Sequence, residues 1–230
     1  MINGTKKTIA QAITNVENVK KLKLESSQKI TTAALWMDLL NFRKHLDGEN
    51  WDFNKEEFIL GIKRVAVLHE AAILAMNERY EIILLNDSIV LSIDILEHNS
   101  KKIVEDFLAL TDHIFEIATL SDDKIGGCGV RGVIAKGIRY NLRGNLGWKK
   151  PPSNPNEWAN PSFFCPRPIM MNTAFGRAYA IESSGELIKA SSLYVEKSLI
   201  FDYGASIMKT WNLECLNDIK NFGSFFLVRQ

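Results

Sequence analysis

The chain has 230 residues, 46% hydrophobic and 24% charged, with a formal net charge of +1, which suits a folded domain with its own core and excludes a disordered chain. Basic residues are scattered among acids apart from Lys20, Lys21 and Lys23, so no nucleic-acid face is expected. Cys128, Cys165 and Cys215 have neither CxxC nor Cys/His spacing. Reduced thiols, no run of about twenty apolar residues and a polar N-terminus without a signal pattern together suggest a cytoplasmic, membrane-free protein.

Residues 1–30 read as an N-terminal helical extension, with Ile9, Ile13, Val16 and Val19 at helical spacing. Residues 31–230 read as one domain. Thr31 to Leu40 (TTAALWMDLL) is an apolar run broken by one acid, expected to be a buried strand that ends at Asp38. After a polar break, Lys55 to Glu78 is rich in Ala, Leu and Glu and contains no Pro, which predicts a long helix. Tyr80 to Leu85 and Ser88 to Ile95 are β-branched runs on either side of Asn86-Asp87, a hairpin pattern. Lys101 to Leu120 repeats its apolar residues at helical spacing, and Gly129 to Gly137 (GVRGVIAKG) predicts a strand whose glycines admit a neighbouring backbone.

All six prolines fall within 144–168, which predicts a long irregular insertion. Thr173 to Ser183 and Glu186 to Leu199 are expected to be helical, and Phe222 to Val228 a last strand. The order predicts an α+β domain of ferredoxin-like β-α-β-β-α-β type, a mostly antiparallel sheet with helices on one face.

In that arrangement the first strand and the hairpin are neighbours, so Asp38 and Asp87 come together. Two adjacent carboxylates repel unless a cation lies between them, and hard oxygen donors select Mg²⁺ or Mn²⁺. Asp87 alone would suit a turn residue, but an acid inside ALWMDLL is costly to bury without a partner.

Four motifs carry a resemblance. MDLLNF at 37–42 resembles the first-strand motif of class III nucleotide cyclases. LLNDSIVLS at 84–92 is similar to that family's metal-binding hairpin, VRGVIAKG at 130–137 to its fourth strand, and AFGRAYAIES at 174–183 to the helix after its catalytic loop. The resemblance implies a homodimer with active sites at the subunit interface, which cyclises a nucleoside triphosphate to a 3′,5′-cyclic monophosphate and pyrophosphate. It implies two divalent ions, Mg²⁺ or Mn²⁺, held by Asp38, Asp87 and the Leu39 main chain, and a phosphate cradle at Leu39, Leu40, Asn41 and Phe42. Arg131 and Lys220 are the implied phosphate contacts.

The departures from the family pattern bear on substrate. The transition-state Asn and Arg of purine cyclases fall at Gly176 and Ala180, which leaves Arg177 as the substitute. The adenine-reading Lys falls near Glu81 with Tyr80 beside it, and its Asp partner has no counterpart at Pro168 and Ile169. With Tyr80 narrowing the base pocket, a pyrimidine is expected. The pattern most resembles the Pycsar-type bacterial cyclases of anti-phage defence, which implies cyclic UMP, or cyclic CMP, as a messenger for a separate effector. The alternatives are an inactive cyclase-like nucleotide-binding module or an adenylate cyclase; a diguanylate cyclase is disfavoured because the hairpin lacks a Gly-Gly-Asp/Glu-Glu-Phe signature.

Overall fold

The structure is a computed structural model that describes residues 29–47, 52, 54–75, 79–140, 172–186, 191–203, 211–219 and 223–229. The expected N-terminal helix, the Pro-rich insertion, Pro168, Ile169 and Lys220 lie outside them. The chain divides into two compact units, 1–30 with 139–171 and 31–138 with 172–230.

The strands are β1 (Lys29–Leu39), β2 (Glu81–Leu84), β3 (Ser88–Asp94), β4 (Val130–Tyr140), β5 (Ser192–Glu196), β6 (Asn212–Ile219) and β7 (Gly223–Arg229). The helices are α1 (Phe42–Asp47), α2 (Glu56–Leu74), α3 (Ser100–Lys124), α4 (Thr173–Ser183) and α5 (Lys197–Tyr203). Among the described residues one sheet holds all seven strands in the order β2-β3-β1-β4-β5-β7-β6. Pairing is antiparallel between β1 and β3, β2 and β3, β5 and β7, and β6 and β7, whereas β4 and β5 run parallel. This is the expected α+β class, extended by two strands.

Side chains alternate across the central strands and separate two cores. Leu35, Met37 and Leu39 of β1, Ile89 and Leu91 of β3, and Val130 and Ile134 of β4 face α2 and α3. On those helices the buried positions recur every three or four residues: Gly61, Arg64, Leu68 and Ala71 on α2, and Val104, Leu108, Thr111, Phe115, Ala118 and Asp122 on α3. Trp36, Val90, Val133 and Tyr194 point to the opposite face, where they meet Ala178 and Ile181 of α4. Helices were expected on one face; α4 lies on the other because its small and apolar side chains cover that half of the sheet.

The start of α4 is tied to the sheet at several points. Asn172 Oδ1 caps the helix by accepting from the amides of Ala174 (3.0 Å) and Phe175 (3.3 Å), and it also accepts from the Thr32 hydroxyl on β1 at 3.1 Å. The Ile138 amide donates to Thr173 Oγ1 at 2.8 Å. Helix and strand approach so closely that a Cβ at Gly137 would meet the backbone N and Cα of Ala174. The expected close backbone approach is therefore made at Gly137.

The C-terminal third departs most from expectation. Ser192 to Glu196, expected within a helix, forms β5, whose five residues are all buried between β4 and β7. A short apolar run buried on both faces lacks the alternation that identifies a strand, and sheet pairing overrides its local preference. Helix follows only at α5. The edge strand β6 was not anticipated at all, since NLECLNDI mixes Asn, Glu and Asp with its apolar residues.

The contact at Gly137 predicts that Gly137→Ala is destabilising by about 1–3 kcal/mol, from overpacking against the α4 backbone. Urea denaturation measures it. A midpoint equal to the parent's would show that strand and helix do not press together there.

Candidate active site

The β1–β3 register places Asp38 opposite Ser88, the residue that follows Asp87. The hairpin turn is closed by the Leu85 amide donating to the Ser88 carbonyl at 2.8 Å, which leaves Asn86 and Asp87 at its tip. The Leu39 amide donates to the Asp87 main-chain oxygen at 3.0 Å. Both acids thus stand at adjoining strand ends, as expected. Asp38 lies between Met37 and Leu39, which face the helices, so it points to the α4 side with Trp36.

Two further charged groups complete the cluster. Arg131, near the start of β4, donates from Nε (3.1 Å) and Nη2 (2.7 Å) to Oε1 of Glu182, a buried acid near the end of α4. The Asp38 carboxyl is pushed up to about 7, chiefly by burial and then by the charges of Asp87 and Glu182, against the opposing pull of Arg131 and the Leu39 amide. Glu182 was missed in the sequence reading. Its signal was available, an acid one place beyond Ile181 on a helix of otherwise small and apolar buried residues.

The donor set fits a hard divalent cation. Partly buried carboxylates that repel one another are relieved by a cation, and carboxylate oxygens are hard donors. Among the described residues no group of three His, Cys, Asp or Glu side chains converges as a cage. Such a set leaves coordination positions to water and phosphate oxygens, the habit of Mg²⁺ at phosphoryl-transfer sites.

The other expected site residues divide. Asn41 has φ 57°, a left-handed conformation that turns the chain sharply after β1, and Phe42, which opens α1, is buried. The Leu40 amide, expected to cradle phosphate, instead donates to the Gly129 carbonyl at 2.9 Å. Tyr80 does not face the site: it is buried in the helix-side core with its ring 6.1 Å from that of Phe107. Strand alternation sends Tyr80 inward with Ile82 and places Glu81 on the Asp38 face with Ile83. The aromatic bulk on the site's own face comes from Trp36, with ring centroids 5.6 Å from Phe175 and 4.8 Å from Tyr179.

Arg177 is also placed elsewhere. Its Nη1 donates to the Lys136 carbonyl at 2.8 Å and lies 3.1 Å from Glu196 Oε2. Lys136 is five residues along β4 from Arg131, roughly 16 Å in an extended strand. Within one chain Arg177 thus braces α4 against β4 and β5, away from Asp38.

Comparison with solved structures bears on the fold. The chain is similar to the dimeric guanylyl cyclase domain of the RhoGC fusion protein from the aquatic fungus Blastocladiella emersonii (TM-score 0.52, 12% identity, 87% of this chain and 94% of that one). It is likewise similar to the guanylate cyclase domain of RhGC from Catenaria anguillulae in complex with GTP (TM-score 0.50, 13% identity, 87% and 97%). At this identity the likeness shows the fold, which is that of a cyclase catalytic domain. No family profile and no curated protein matches the sequence.

The raised Asp38 pKa sets a pH dependence. Because the folded value lies above the unfolded one, the penalty is absent below about pH 4, grows as pH rises and is complete above about 7. In EDTA, Asp38→Asn should therefore melt higher than the parent at pH 8 and match it near pH 4. Adding Mn²⁺ at pH 8 should raise the parent's melting temperature and leave that of Asp38→Asn almost unmoved. A difference between the two proteins that does not vary with pH would refute the assignment.

Proposed function

We propose that the chain is a nucleotide cyclase that converts a pyrimidine nucleoside triphosphate, UTP in preference to CTP, to the 3′,5′-cyclic monophosphate and pyrophosphate. The placement of Asp38 and Asp87 at adjoining ends of the central strands of a cyclase-type sheet carries the reading. In this reaction the ribose 3′-oxygen bonds to the α-phosphorus, the bond to the bridging oxygen of the β-phosphate breaks, and the hydroxyl proton passes to solvent. Divalent ions at Asp38, Asp87 and the Leu39 main chain would supply acidification of that hydroxyl and charge neutralisation of the triphosphate.

The chain's own residues set the rest. With the Leu40 amide committed to Gly129, the β- and γ-phosphates fall to the turn at Asn41, Phe42 and Arg43. Arg131, oriented by Glu182, brings positive charge to the same end of the sheet. Lys220 stays in the proposal from the motif resemblance alone. Arg177 enters only through a second chain, as a homodimer with active sites at the subunit interface would supply it.

Two features favour a pyrimidine. Glu81 lies opposite Ser92, which faces Ala34, four residues along β1 from Asp38, so like Arg177 it enters through a second chain. There its carboxylate accepts from an N–H edge such as N3–H of uracil and repels the ring nitrogens of adenine. Guanine offers an N–H edge too, and against it the Trp36, Phe175 and Tyr179 group reduces the room on the Asp38 face. The cyclic pyrimidine nucleotide would act as a messenger to a separate effector in anti-phage defence, as the motif resemblance implies. One observation favours a second reading, a nucleotide-binding module without turnover: Gly176 and Ala180 carry no donor where the family's transition-state groups would stand.

The test is incubation with each of the four ribonucleoside triphosphates and Mn²⁺, with product mass measured. Cyclic UMP, with less cyclic CMP, is expected, whereas turnover of GTP or ATP alone would end the pyrimidine assignment. Asp38→Ala and Asp87→Ala should each lower kcat by at least about a thousandfold, the scale for losing a transition-state charge partner. Nucleotide binding without product from any triphosphate would favour the binding module. Light scattering should give twice the chain mass.

A further inference from the structure

The deepest charged group in the described structure is outside the carboxylate site. Arg64, halfway along α2, is fully buried and faces Asp122, equally buried in the last turn of α3. Arg64 Nε donates to Asp122 Oδ1 at 2.6 Å and Nη2 to Oδ2 at 3.1 Å, a bidentate pair. The remaining donors leave the helices: Nη1 reaches the Leu40 carbonyl at 3.0 Å and Nη2 the Gly129 carbonyl at 3.2 Å. Asp122 Oδ2 in turn accepts from the Gly129 amide at 2.8 Å, and Gly129 accepts from the Leu40 amide at 2.9 Å.

Every bond that leaves the Arg64–Asp122 pair in this network ends on one of two places. One is the residue that opens the turn after Asp38; the other is the loop that delivers Arg131 to β4. That loop is shaped to the pair: Gly129 has φ 104°, and a Cβ at Gly127 would strike the Asp122 carboxyl. An ion pair buried this deeply is costly to desolvate, and apolar residues of similar volume would hold two helices together as well or better. Stability alone therefore does not account for it.

We infer that Arg64 and Asp122 are positioning residues that clamp the Leu40–Asn41 turn and the Gly129 loop from below. They hold the turn after Asp38 and the start of β4 at a fixed separation, so that the phosphate-facing backbone and Arg131 are set before ligand arrives. Neither side chain touches the site. The inference rests on the proposed nucleotide chemistry for its consequence, but not for the clamp itself.

The test compares the parent with Arg64→Met/Asp122→Leu, in which apolar side chains replace the pair, and with Arg64→Lys, which keeps the charge but cannot reach all four acceptors. Three quantities are read: melting temperature, amide exchange of the peptide spanning 37–43 in the ligand-free protein, and affinity for the α,β-methylene analogue of UTP with Mn²⁺. The double variant should melt within a few degrees of the parent, exchange faster at 37–43 and bind the analogue about 10–100-fold more weakly, the range for groups that act by orienting others. Arg64→Lys should fall between the two, and it carries the test if the double variant does not fold.

Unchanged exchange in the variants overturns the clamp. Faster exchange with unchanged affinity reduces the pair to a structural role and overturns the positioning claim. If the parent neither binds nor cyclises any triphosphate, the cyclase reading fails by itself, and the exchange measurement still decides the clamp.

Discussion

The antiparallel register between β1 and β3 is the constraint on which the site depends. With Asp38 opposite Ser88, the hairpin tip brings Asp87 alongside, and a slip of one residue would turn Asp38 toward the helices and Met37 toward the site. The register is held from both faces. Leu35, Met37 and Leu39 are locked into the helix-side core, while Trp36 is fixed against α4. A costly charge cluster is thus maintained by the apolar packing on each side of it.

The charges fall into two layers with different roles. On the α4 side, Asp38, Asp87 and Arg131 are partly open beside buried Glu182, and the repulsion among the three acids leaves a demand for positive charge. On the helix side, Arg64 and Asp122 satisfy one another and the main chain completely enough to stay dry. In the proposed cyclase reading the first layer serves chemistry and the second serves geometry. The two are joined through the backbone at Leu39, Leu40 and Gly129 rather than through side-chain contact.

The fold redistributes the aromatic residues around the site. Tyr80 was expected at the site from its place in sequence, yet the pleat turns it into the core against Phe107 and puts Glu81 on the opposite face. Bulk on the site face is contributed from a distance, by Trp36 of β1 and the aromatic residues of α4. Arg177 shows the same effect on a helix: a position one residue from the family's donor site points its guanidinium to Glu196.

The sequence by itself determined the order of the first elements, the hairpin at Asn86-Asp87, the meeting of Asp38 with Asp87 and the α+β class, because strongly periodic apolar segments and turn residues act locally. It also contained, unread, Arg64 and Asp122 on apolar helical stripes, where a charge requires a partner. Only the tertiary structure decided which partners those are. It also decided that SLYVE is a strand, that polar β6 closes the sheet edge, and that Tyr80 and Arg177 are turned away from the site. Those outcomes depend on pairing and packing between residues distant in the chain, and no local pattern records them.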